Sequence, residues 1–200
     1  MWFSFSTNFL IFITAVILYF FYKKSFVFVY YKAFVILTGF AALVAGFGHL
    51  PTFDNSTSLM ILYVSRVINL ISVFCFIHGT LWSFNYFQHK IYWSLEVLFF
   101  LGFLVWLTVY NVFTLVIVYS IFGFIVVGVT SYLLNYKVQR EAANRVLSGV
   151  FILAVSAIIF VVFKTDYNTL AADIDHVLVS IALVVLMAGF NKLSKNEIKK

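Results

Sequence analysis

Seven long and nearly uninterrupted apolar runs fill almost all of this chain, and no other feature restricts its fold so severely. They cover residues 5–22, 26–50, 58–86, 91–110, 111–136, 146–163 and 171–193. A bilayer core is crossed by about 20 apolar residues in a helix. With no water to satisfy them, backbone N–H and C=O groups there must pair within the chain, which leaves helices and closed barrels. A barrel strand alternates apolar and polar residues over about ten positions. These runs are continuous and longer, and the chain holds a single proline, Pro51. The expectation is an all-α polytopic membrane protein, a seven-transmembrane-helix bundle. Residues 1–193 form one transmembrane domain, and residues 194–200 a short basic tail.

Composition agrees. Hydrophobic residues make up 64% of the 200 positions and charged residues 10%, and the mean hydropathy is +1.07. A soluble domain carries roughly 25% charged residues and a compact fold of this size cannot hide so much apolar surface from water. Soluble globular and disordered classes are thereby excluded. The net charge of +6 resembles a nucleic-acid signal until the charges are placed. Eleven of the thirteen basic residues fall in the first, third and fifth connections, at the adjoining helix ends, or near the C-terminus: Lys23, Lys24, Lys32, Lys90, Lys137, Arg140, Arg145, Lys192, Lys195, Lys199 and Lys200. The other face holds Lys164 with Asp54, Asp166, Asp173 and Asp175. By the positive-inside rule the N-terminus is expected outside and the C-terminus in the cytoplasm. In a bacterium that membrane would be the plasma or inner membrane. The basic excess is topological, so no nucleic-acid partner is expected; the partner is the lipid bilayer.

Smaller signals add little. The single cysteine, Cys75, allows no intrachain disulfide. The N-terminal run lacks a basic start and is expected to be a retained helix rather than a removed signal. Asn55-Ser56-Thr57 is a glycosylation sequon, but its loop is too short to make modification the expected outcome. Ala42 and Gly46 are a small-residue pair that lets the second helix pack closely on a neighbour.

Ionisable residues inside apolar helices are costly and mark functional sites by default. One group lies toward the outer face. His49 ends the second run, Arg66 stands in the third, and Asp173, Asp175 and His176 open the seventh. Asp173 and His176 are spaced i, i+3 and share a helix face. Three readings of this group stay open. Arg66 can be neutralised by an aspartate of the seventh helix, with the histidines as interfacial hydrogen-bonders. His49, Asp173 and His176 can be ligands of a metal such as zinc with an open position for water. The same groups can bind an anionic headgroup or relay protons in a transporter. A second, sparser group lies toward the inner face, where Glu96 can accept a hydrogen bond from His78 or snorkel to the surface. His78 on its own is the commonplace case of a packed histidine.

A seven-helix core with a histidine ending the second helix in GFGHLP and an acid/histidine face opening the seventh in DIDHVLVS resembles the CREST superfamily of membrane hydrolases. That superfamily includes the alkaline ceramidases and the PAQR receptors. The resemblance implies a zinc-dependent hydrolase of a lipid amide or ester, with its site between helices two, three and seven. On that expectation His49, Asp173 and His176 hold the metal and lower the pKa of bound water. Asp175 acts as base, and Arg66 holds a lipid phosphate or the developing oxyanion. The alternative is a non-enzymatic transporter or lipid-binding protein built on an Arg66–Asp pair.

Overall fold

The computed structural model describes residues 2–22, 28–83, 90–135, 140–163 and 170–197. Among them are seven helices: α1 (Trp2–Phe21), α2 (Phe28–Gly48), α3 (Asn55–Ser83), α4 (Lys90–Tyr110), α5 (Phe113–Thr130), α6 (Arg140–Phe163) and α7 (Leu170–Glu197). A π-helical turn, Ser131–Asn135, prolongs α5. No strand occurs among the described residues. Six helices, α2 to α7, are long and apolar enough to cross a membrane, and α1 contributes a shorter apolar stretch, Phe5–Phe21. Residues 1, 23–27, 84–89, 136–139, 164–169 and 198–200, which the expected connections at 23–25, 87–90, 137–145 and 164–170 overlap, lie outside the described residues.

The two described connections show how the sequence sets the ends. Asp54 is the N-cap of α3: its carboxylate accepts from the backbone N–H of Ser56 at 3.0 Å and of Thr57 at 3.3 Å, and from the Ser56 hydroxyl. Those bonds satisfy donors that have no partner within the helix. The Ser56 hydroxyl, then the Thr57 and backbone donors, hold the Asp54 carboxyl well below the usual carboxylate range. At the α4–α5 turn, Asn111 adopts φ 45°, and its N–H closes back on the Leu107 carbonyl at 2.7 Å. This left-handed C-cap suits asparagine, which tolerates the conformation better than other side-chain-bearing residues.

The helices pack chiefly as α6 on α7, α2 on α3 and α1 on α2, with α1 also against α7 and α3 against α5. The α6–α7 contact uses reciprocal glycines. A Cβ at Gly149 on α6 would lie 2.5 Å from Leu186 Cγ and 3.2 Å from the Leu186 backbone N on α7. A Cβ at Gly189 on α7 would lie 3.0 Å from the backbone N of Val146. The Ala42/Gly46 pair does what its spacing predicts: Gly46 seats Asn8 and Phe5 of α1 within 3.2 Å of its missing Cβ. The main core runs through Phe34, Phe76, Leu183, Leu186 and Phe190, with Tyr31 stacked on Phe190 at 3.6 Å. A second core joins α3, α4 and α5 around Leu70, Leu107 and Tyr119.

Helix α4 is the peripheral element, touching, among the described residues, only α3 and α5 and both lightly. Polar contacts hold it at both ends. His78 Nδ1 meets Glu96 Oε2 at 3.0 Å, with both side chains 6% exposed, which is one of the two placements the sequence leaves open for Glu96. At the other end the Tyr63 and Thr108 hydroxyls lie 3.1 Å apart.

Candidate functional site

One end of the bundle gathers Asp54, His49, Asp173, Asp175 and His176, and is the acidic end. Glu141 bridges Arg145 of α6 and Lys192 of α7 at the opposite, basic end. The acidic end is where α1, α3 and α7 begin and α2 and α6 finish.

Asp173 and His176 share one face of α7, as their spacing predicts. Their partner is Thr7 of α1, a residue the sequence reading did not single out. The Thr7 hydroxyl donates to Asp173 Oδ1 at 2.8 Å and lies 2.9 Å from His176 Nδ1. A hydroxyl has one proton and two lone pairs. With its proton on Asp173, Thr7 accepts from His176 Nδ1–H. Asp173 is buried, so its bond from Thr7 is made in a place shielded from bulk water. Asp175, two residues on, turns to α6, where the Ser156 hydroxyl donates to its side chain and, at 3.2 Å, to its backbone carbonyl.

Arg66 departs from expectation. The sequence reading paired it with Asp173 or Asp175 of the seventh helix. Instead Nη1 donates to the Asn111 carbonyl at 2.5 Å and to Asn111 Oδ1 at 2.6 Å, with the guanidinium 6.0 Å from the Phe113 ring centroid. The reason lies in the α4–α5 turn. Its left-handed residue directs a carbonyl and an amide oxygen toward α3, and the two aspartates are already held by Thr7 and Ser156.

His49 sits in the exposed turn after α2. Among the described residues no three His, Cys, Asp or Glu side chains come together closely enough to hold a metal ion. Of the expected set of His49, Asp173 and His176, the two α7 residues come together through Thr7 of α1.

Below this relay lies a cavity of about 200 Å³ lined by α1, α2, α3, α5, α6 and α7. Phe34, Val73, Ile117, Phe124 and Leu183 form much of its apolar wall, and Asn8, Asn69, Asp175 and His176 contribute polar groups. Four hydroxyls also line it, Thr38, Ser65, Ser120 and Ser156, and each donates its proton elsewhere. Ser65 donates to the Ala41 carbonyl and Ser120 to that of Val116, each at 2.8 Å. Ser156 donates to Asp175. Thr38 donates to Ser72 at 2.6 Å, since Ser72 spends its own proton on the Phe34 carbonyl. The hydroxyls thus offer the cavity lone pairs. The lining contains one carboxylate and neither Lys nor Arg.

The second polar group, toward the basic end, has different surroundings. His78 packs among Tyr30, Phe74 and Trp82, with ring centroids 4.6, 5.6 and 6.1 Å away. Glu96 Oε1 and the Tyr119 hydroxyl have no hydrogen-bond partner among the described residues.

No curated protein and no solved structure matches this chain. Residues 3–195 match a family of unknown function, DUF6962, and the chain belongs to that family.

Proposed function

We propose that this protein is an intramembrane binding protein for a small organic cation, which it holds in the cavity below Asp175 and His176. In this reading all seven helices cross the bilayer, the acidic end faces outward and the basic end faces the cytoplasm. Helix α1 has 20 residues, about 30 Å at 1.5 Å per residue, the thickness of a bilayer core. Its exposed side, with Ile17, Phe20 and Phe21, suits lipid. The basic bias of the connections supports the orientation.

The observation that carries the ligand class is the set of lone pairs on the cavity wall. A lining with one carboxylate, four hydroxyls with committed protons and neither Lys nor Arg favours a ligand that brings donors and positive charge. An ammonium group fits. An anion would face Asp175 with no guanidinium to offset it, because Arg66 is not among the residues lining the cavity. The test is thermal unfolding in lipid nanodiscs with butylammonium or butyrate. Butylammonium is expected to raise the wild-type midpoint, by about 2.7 kcal/mol of stability at a hundredfold excess over its dissociation constant. Asp175→Asn should lose that response. Stabilisation by butyrate instead, or by neither ion, overturns the reading.

A metal-dependent lipid hydrolase, the activity implied by the CREST resemblance, is the second reading. One feature favours it: the Asp173–Thr7–His176 relay orients the imidazole as outer hydrogen-bond partners orient metal-binding histidines. This reading requires about one zinc per purified chain, lost in His176→Ala. The cation-binding reading requires none.

A further inference from the structure

A second cavity, about 770 Å³, lies along the seam between α5 and α6, and every residue lining it is apolar. It extends along α5 from Ile117 to Val129, about 18 Å at 1.5 Å per residue. It belongs to the stretch of helix that is long and apolar enough to lie in a membrane. Helices α5 and α6 touch far less than α6 and α7 do, so the seam is a real gap in the packing. Ile117, Phe124 and Ala157 line both this groove and the polar cavity. The two spaces therefore adjoin along these three side chains.

From this continuity we infer that the ligand is a cationic amphiphile with a single alkyl chain, its ammonium group below Asp175 and His176 and its tail in the α5–α6 groove. The inference rests on the cation reading above and extends it. Charge complementarity selects the head, since the polar cavity offers a carboxylate and no base. The groove selects the tail, since it offers no polar side chain and hydrocarbon is the matching occupant. Entry from the bilayer follows from the same geometry. A tail already in lipid slides between α5 and α6 without crossing water. A small soluble cation would have no use for the groove.

The experiment uses a long-chain primary amine carrying a photoactivatable diazirine at its tail end, added to the full chain in nanodiscs, with the labelled peptides mapped by mass spectrometry. Label is expected on groove residues such as Ile125, Phe151 and Ala154, and should fall at least tenfold with excess unlabelled amine. Gly128→Leu fills the groove. Its backbone admits the change, because an added Cβ meets only Val150 Cγ1 at 3.6 Å. That variant should lose the competed label on α5 and α6 while keeping its thermal response to butylammonium. Label spread over every lipid-facing helix, with α4 marked as strongly as α5 and no competition, overturns the tail assignment. Loss of the butylammonium response in the wild-type protein is a separate outcome, and it removes the cation reading together with the head assignment.

Discussion

Arg66→Met tests whether the α4–α5 turn, and not an aspartate of α7, is the partner of the one arginine within the membrane-spanning part of α3. Methionine keeps the apolar stem near Phe113 and removes both hydrogen bonds to Asn111. A bond to a charged group contributes about 1.5–3 kcal/mol net. The site is half-buried, which puts the loss near the low end, about 2 kcal/mol or roughly a 30-fold change in the unfolding constant. Asn111→Gly is the matched change at the other end. Glycine accepts φ 45° without strain and keeps the carbonyl acceptor, so it deletes only the Oδ1 bond. The two changes should couple by about 1 kcal/mol in a double-mutant cycle, within the range found for residues in contact. Asn111→Ala should cost a further 1–2 kcal/mol, roughly, for placing a Cβ in the left-handed region. The assay is reversible unfolding in mixed detergent micelles followed by circular dichroism. If Arg66→Met and Asn111→Gly add without coupling while Arg66→Met couples to Asp175→Asn, the pairing drawn above is wrong.

Two other perturbations bear on the relay and the packing. Thr7→Val removes the proton given to Asp173 and the acceptor for His176, so it should cost about 1.5–3 kcal/mol in the same assay and weaken butylammonium binding, whereas Thr7→Ser should do neither. Gly149→Val drives a branched side chain into Leu186 and should destabilise by about 1–3 kcal/mol or more; Gly102→Val, where an added Cβ meets nothing within 4 Å, should stay within roughly 0.5 kcal/mol.

The helices were legible because a bilayer imposes one rule on a whole segment. About 20 consecutive apolar residues are a signal that averages over every local ambiguity. Even the α4–α5 boundary, where no charge separates the runs, falls where the sequence put it. There Asn111 supplies the left-handed residue that ends α4. Pairs within reach along one helix or across a connection were legible as well. Asp173 and His176 share a face because 3.6 residues make a turn, and His78 meets Glu96 because α3 and α4 are antiparallel neighbours at matching depth.

Long-range partners were not legible, and the reason is rotational. Depth along the bilayer is read from residue number, but the direction a side chain takes around its helix axis depends on which neighbours the helix packs against. Those neighbours are chosen by small residues spread over several helices, such as Gly149 and Gly189 for α6 and α7. Placing α7 beside α1 and α6 sent Asp173 to Thr7 and Asp175 to Ser156. It left Arg66 with the α4–α5 turn at the same depth. The polar pair Thr7-Asn8 was a visible clue, since it interrupts the apolar first helix at the depth where Asp173 opens the last. A hydroxyl and an amide in such a helix incur a desolvation cost unless they meet partners. The missing partner of an α7 carboxylate was therefore as much a question for the neutral polar groups of α1 as for the charged groups of α3. Charge drew attention to Arg66, but the packing satisfied Asp173 with a hydroxyl of α1 and Asp175 with a hydroxyl of α6.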